Sequence, residues 1–322
     1  MVLQRDKVLQ QVRKQLATRS WLSSPRYFIW LIRALRDQRQ SAVIAADLGF
    51  GFLDIENFRL SKDKKSETLF ILGSGSSVNE LSENQFSHIA KHVSIGINLW
   101  VAHDFVPDAY SFEAGGFPPL ENEIPQMLQM GRELARPEVL LREPKVLLLR
   151  PNSPSRTSQF LPIPEALTAH TFVYGRSNVP ELQIQIAERG TRDFLRSYLR
   201  FRAPRHALPD NGASVVRMIF LALALGFQKI VLAGIDLNRS SYFWYSDGAI
   251  TSRPELSSIF PRPVGENHDT TETVKRPHDT KALIVWIRRA LRDFTGAQLY
   301  VASSSSSLAK DLTLYPWEDL EN

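Results

Sequence analysis

The sequence predicts an α/β fold built on a doubly wound, mainly parallel sheet, with an N-terminal helical extension and a lid segment. Three observations predict it. Leu69-Phe70-Ile71-Leu72 is a short apolar run that ends in Gly73-Ser74-Gly75-Ser76-Ser77, and Ile230-Val231-Leu232-Ala233 is a second that ends in Gly234-Ile235-Asp236. Continuous apolar runs of this length are what strands buried on both faces require. From Glu67 onward such runs alternate with helical patterns, which argues for parallel strands joined by helical crossovers.

The elements follow in order. Residues 2–20 read as a helix with Leu3, Val8, Leu9, Val12 and Leu16 towards one face. Residues 21–39 hold Trp21, Tyr27, Phe28, Ile29, Trp30, Leu31 and Ile32 beside Arg26, Arg33, Arg36 and Arg39, a pattern that suits a membrane interface or a helix docked in a protein groove. Residues 62–66 read as a linker, so the expected organisation is a basic amphipathic extension over 1–65 and an α/β domain over 66–322. Within that domain strands are expected at 69–73, 93–97, 109–112, 145–149, 229–234 and 298–302. Helices are expected from Leu81 or Ser82, over 181–201, over 214–225 with Gly226 as the stop, and over 279–294. Residues 238–277 form a long polar segment, too long for a passive connection, and are read as a lid or acceptor segment.

Composition narrows the function classes. With no cysteine among 322 residues there is no disulfide framework, thiol nucleophile or Cys metal site. The charged N-terminus lacks the apolar core of a signal peptide, and no apolar stretch approaches the ~20 residues that span a bilayer. A cytoplasmic protein is expected, peripheral on the inner face of the membrane through residues 1–40, with no nucleic-acid partner. Those 40 residues hold nine Lys/Arg and two acids, a net +7, whereas the remainder holds 30 basic and 32 acidic residues, a net −2. The basicity therefore belongs to one segment, placed to meet an anionic surface or to lie solvated on the body.

The glycine loop has the chemistry of a phosphate cradle, since glycines let backbone N–H groups approach an anion ahead of a helix N-terminus. A tight structural turn explains the same residues. Val78 stands where the dinucleotide fingerprint has its third glycine, and no Gly-Lys-Ser/Thr follows. Asn98 closes the next strand, and Ala213-Ser214 opens a strongly apolar helix. Ser240-Ser241-Tyr242 follows Gly234-Ile235-Asp236, then come Asp279-Thr280-Lys281-Ala282-Leu283 and Leu299-Tyr300 before a serine loop.

In order and spacing these motifs resemble the bacterial lipooligosaccharide sialyltransferases, glycosyltransferase family 42, over roughly residues 68–113 and 210–312. The resemblance implies a Rossmann-like, GT-A-like variant and transfer of sialic acid, or a related keto sugar acid, from a CMP-activated donor to a cell-surface glycan or glycolipid. It implies an inverting mechanism without a metal or other cofactor, and a tendency to homo-oligomers. It implies donor contacts at Gly73, Ser74, Gly75, Ser76, Ser77, Asn98, Ser214, Gly234 and Asp236, and at the serine loop, Ser303 and Ser304 in particular. Glu113 stands near the donor where the family carries an asparagine, and Asn211 where it carries a basic residue. Two family tyrosines assist the departing phosphate; Tyr242 matches one, while the other falls near Asn238, leaving Tyr245 as the candidate. The general base is a histidine before the Asp-x-Lys-Ala-Leu helix. Ungapped, its position falls on Val274, so His278 and His268 are both candidates, His278 the favoured one. Two other readings stand beside this one: a pterin diphosphokinase-like transferase using ATP and Mg²⁺, and a non-catalytic nucleotide-binding module.

Overall fold

The computed structural model describes residues 25–54, 58, 60, 66–114, 123–141, 146–151, 162–178, 208–210, 213–237, 241–246, 249–250, 256, 259 and 280–317. The sheet strands are β1 (Gly51–Phe52), β2 (Thr68–Leu72), β3 (Val93–Ile97), β4 (Ala109–Ala114), β5 (Val146–Pro151), β6 (Thr171–Val173), β9 (Lys229–Ala233), β12 (Gln298–Val301) and β13 (Thr313–Leu314). Two small pairs lie outside it, β7 (Arg176–Asn178) with β8 (Leu208–Asp210) and β10 (Tyr245–Ser246) with β11 (Ala249–Ile250). The principal helices are α1 (Pro25–Asp47), α2 (Glu83–Lys91), α3 (Glu123–Leu134), α4 (Ser214–Ala224) and α5 (Thr280–Phe294).

The nine strands run β1-β6-β5-β4-β3-β2-β9-β12-β13, and each neighbouring pair is parallel. The alternation of apolar runs and helices therefore became the doubly wound sheet it predicts. From β2 the chain steps outward through β3, β4, β5 and β6, while from β9 it steps the other way through β12 to β13. The winding reverses between β2 and β9, which pair with Leu69 opposite Ile230 and Leu72 opposite Ala233.

Both faces of these strands are buried, because successive side chains point to opposite faces and helices cover each. Leu69, Ile71, Ile230, Leu232, Leu299 and Val301 pack on one face with α4 and with Leu283, Ile287 and Leu291 of α5. Phe70, Leu72, Val231 and Ala233 pack on the other with Ile89 of α2, Trp100, Val101 and Tyr315. Ser82 caps α2 in a full capping box with Gln85, which fixes the helix start where the sequence places it. Gly226, at φ +90°, ends the turn after α4, as its position predicts.

The N-terminal segment reaches into the sheet. Gly51 and Phe52 pair with Phe172 and Val173 to form its edge, and α1 packs there through buried Ala34, Ser41, Ile44 and Ala45. Arg33, Arg36 and Arg39 stay on its exposed side. No described helix is long and apolar enough to cross a membrane. The helix expected over 181–201, most of the segment 238–277 and residues 1–24 lie outside the described residues.

Candidate functional site

A crevice forms beyond the carboxyl ends of parallel strands wherever the winding direction reverses, because the connections leave to opposite sides. Here it lies between β2 and β9. The loops after these strands, Gly73–Ser77 and Gly234–Leu237, meet there backbone to backbone. A Cβ on Gly73 would collide with Ile235 and stand 2.6 Å from the Gly234 carbonyl oxygen. A Cβ on Gly75 would run into the Asp236 carboxylate, and one on Gly234 into the Gly73 carbonyl oxygen and Val78. Gly234 also sits at φ +66°. The glycines of the two loops are thus required by each other.

Their polar groups are committed in the same way. The N–H of Gly73 donates to Ala233 O at 2.7 Å, that of Gly75 to Gly234 O at 2.9 Å, and that of Ser76 to Ser241 O at 2.9 Å. Buried Asp236 accepts the Ser77 N–H at 3.1 Å and the Ser77 hydroxyl, while its backbone carbonyl accepts the Ser307 hydroxyl at 2.6 Å. Among the described residues, Ser74 alone in Gly73–Ser77 has an N–H without a protein partner. The phosphate-cradle expectation for the loop rests on that one group and not on a run of open N–H donors.

Side chains from three further elements border the crevice. Asn98 follows β3 at φ 49°, a left-handed backbone that asparagine tolerates better than most residues. Its Nδ2 donates to the Ser214 Oγ at 3.2 Å, at the first turn of α4. Arg217 lies one turn further and is 0% exposed. Its Nη2 donates to the same Ser214 Oγ at 2.9 Å and its Nε to the Tyr174 hydroxyl at 3.2 Å. Sequence reasoning passed over Arg217, although one arginine in an otherwise apolar helix face was a visible signal. After β12, Ser303 donates its hydroxyl to the Glu80 carboxylate and lies 2.9 Å from the Ser305 hydroxyl; Ser304 is exposed.

An aromatic segment lies across the glycine loop. Tyr242 bridges Gly75 in antiparallel fashion, Phe243 N–H donates to Ser74 O at 3.0 Å, and Asn79 Nδ2 donates to Phe243 O at 2.8 Å. Tyr242 is half-buried and stacks on Trp244 with centroids 4.5 Å apart, whereas Tyr245 is buried, its ring 6.3 Å from Trp244. Phe243 meets His103 edge-on at 4.9 Å, and His103 stacks on Trp100 at 4.3 Å.

Burial lowers the His103 pKa from 6.5 to about 4, with Asp104 opposing the shift and Arg136 adding to it. The neutral ring is the form that fits, since its Nδ1 accepts the Phe105 N–H at 2.9 Å. Unfolding returns the ring to a pKa of 6.5, so between pH 6.5 and about 4 the unfolded chain holds a proton that the folded chain lacks. The neutral ring's contribution is complete above pH 6.5 and falls away as pH approaches 4, by at most about 3 kcal/mol. Chemical denaturation across this window should show the slope, and His103→Phe should flatten it.

Of the residues the sequence singles out, Gly73, Ser74, Gly75, Ser76, Ser77, Asn98, Ser214, Gly234 and Asp236 all stand at the carboxyl ends of β2, β3 and β9 or the start of α4. Tyr242 is tied to this group through Gly75, and Ser306 through the Ile235 carbonyl, its hydroxyl donating at 2.9 Å. Glu113 lies on β4 in register with Arg150, its side chain outside the described residues. His268 and His278 also lie outside them.

No protein-family model matches the chain, and no curated protein matches it. Solved structures do. The monofunctional alpha-2,3-sialyltransferase Cst-I from Campylobacter jejuni is 16% identical, with a TM-score of 0.41 over 80% of this chain and 83% of that one. An alpha-2,3-sialyltransferase from Campylobacter jejuni in apo form is 15% identical, with a TM-score of 0.36 over 82% and 84%. The sialyltransferase CST-II in complex with trisaccharide acceptor and CMP is 14% identical, with a TM-score of 0.37 over 77% and 86%. The α/β architecture of this chain stands on its own strand pairing.

Proposed function

We propose that the chain is a glycosyltransferase that moves sialic acid, or a related keto sugar acid, from a CMP-activated donor to a cell-surface glycan. The observation that carries this reading is the convergence of Gly73–Ser77, Asn98, Ser214 and Gly234–Asp236 on one crevice at the switch point, in the order and spacing of the motifs described above. In the reaction the acceptor oxygen bonds to the anomeric carbon as the bond from that carbon to the phosphate oxygen breaks, and CMP leaves with the electron pair. The acceptor's proton passes to a histidine, His278 or His268, a residue type suited to take a proton near neutral pH. The departing phosphate is a stable anion, which hydroxyl donors such as Tyr242 can stabilise without a metal. The exposed arginines of α1 suit attraction to an anionic membrane face that carries the acceptor.

Thermal shift with CMP, CDP, ATP and NAD, each with and without Mg²⁺, tests the reading. CMP and CDP should stabilise the protein to the same extent in either condition; a ligand at one hundred times its Kd adds about 2.7 kcal/mol. A response to ATP with Mg²⁺ alone would turn the assignment to phosphoryl transfer. Silence towards all four would turn it to a non-catalytic module.

A further inference from the structure

Helix α1 has two opposite faces, and the fold uses one of them. Ala34, Ser41, Ile44 and Ala45 are buried where the helix packs on β1, β6 and β7. At about 100° per residue, Ile32, Arg36, Arg39 and Val43 fall within about 60° of arc on the far side, with Arg33 beside them. All five are exposed, Ile32 at 53% and Val43 at 55%. Among the described residues five large apolar side chains are exposed, and this stripe holds two of them. They stand about 16 Å apart along the helix, with the arginines between them.

The arginines are uncommitted. Arg33, Arg36 and Arg39 enter no ion pair or hydrogen bond among the described residues. Asp47 is the exposed acid of the helix, at its last residue, and half-buried Asp37 lies by position nearer the packed side, so the outer face stays cationic. The combination of charge and apolar surface selects a partner. A bilayer with acidic headgroups offers phosphates to guanidinium groups and an apolar boundary to aliphatic side chains beside them. A nucleic acid rewards the charge but leaves Ile32 and Val43 in water. A second copy of the stripe would set its arginines against themselves. No described helix is long and apolar enough to cross a membrane, so a contact of this kind lies along the surface.

We propose that the outer stripe of α1 is the surface by which this chain lies on an anionic phospholipid bilayer, its arginines meeting lipid phosphates while Ile32 and Val43 enter the headgroup boundary. The proposal rests on the reading above only for where the acceptor lies.

The test is sedimentation of the full chain with vesicles of phosphatidylglycerol and phosphatidylcholine in equal parts, without nucleotide. The wild-type chain should bind these vesicles and not phosphatidylcholine alone, and binding should fade as salt rises. Arg36→Gln should weaken it about fivefold, and Arg33→Gln/Arg36→Gln/Arg39→Gln about 100-fold. Arg33→Lys/Arg36→Lys/Arg39→Lys should bind nearly as wild type, because a bilayer reads charge and not the shape of the guanidinium. Ile32→Ser/Val43→Ser should bind about tenfold more weakly yet keep the salt dependence. Arg292→Gln, which removes an exposed arginine of α5, should change nothing. Any of four results would overturn the proposal: equal binding to neutral vesicles, an unaffected triple glutamine variant, a lysine variant as weak as the glutamine one, or binding to duplex nucleic acid in place of vesicles. Should the triple variants not fold, Arg36→Gln against Arg292→Gln decides. CMP affinity is measured separately on the same variants and should be unchanged, so failure here leaves the donor reading standing, and a wild-type chain that binds vesicles but no CMP fails that reading alone.

Discussion

Gly234→Ala should destabilise the fold by about 4 kcal/mol, the sum of a left-handed backbone imposed on an L-residue at ~1–2 kcal/mol and a core overlap at ~1–3 kcal/mol. The overlap cannot be relieved cheaply. The new methyl group meets the Gly73 carbonyl and Val78, and Gly73 is tied to the Ala233 carbonyl by its own N–H at 2.7 Å. Moving that strand end would disturb the pairing of β2 with β9 at the centre of the sheet. With an unfolding entropy of ~2 cal/mol/K per residue, a chain of 322 residues should lose about 6 °C in its thermal midpoint. Two controls divide the effect. Gly226→Ala has a positive φ but no atom within 4 Å of the new methyl group, so it carries the backbone part alone, about 2 °C. Gly73→Ala is outside the positive-φ set but meets Ile235 and the Gly234 carbonyl, so it carries the packing part. A Gly234→Ala protein no less stable than Gly226→Ala would mean that the loops separate without cost. The close loop contact would then have no energetic meaning.

Much of the frame of this site was legible because it follows from local chemistry. Leu69–Leu72 and Ile230–Ala233 are runs too short for helices and too apolar for an exposed surface, and the glycines that follow mark strand ends. The start of α2 was legible to within a residue or two, at Leu81 or Ser82, and the structure settles it with the capping box of Ser82 and Gln85. What escaped was set by partners distant in sequence. Arg217 stands out in the sequence as the one arginine of an apolar helix, but its partner Tyr174, just after β6, is brought to it only by the fold. Gly51–Phe52 has no periodicity from which a strand could be read, and it becomes one only because β6 offers an edge. The glycine loop taught the reverse lesson. Its composition suits an anion, but the close approach its glycines permit is made by the neighbouring loop.

His278→Ala should lower the transfer rate by about 10²–10⁴-fold while leaving CMP affinity unchanged, the signature of a group that acts on the acceptor's proton and not on the donor. The expectation rests on chemistry and on chain position, since His278 precedes the first residue of α5, Thr280, by two. His268→Ala should retain most of the rate; if it is the inactive variant and His278→Ala is active, the base is His268. The pH dependence gives a second, independent reading. A histidine base of ordinary pKa loses rate as pH falls through about 6.5, and the residual activity of the alanine variant should lack that limb. The limb is separable from the His103 effect, which is a loss of stability running down to about pH 4 and should persist in the His278 variant.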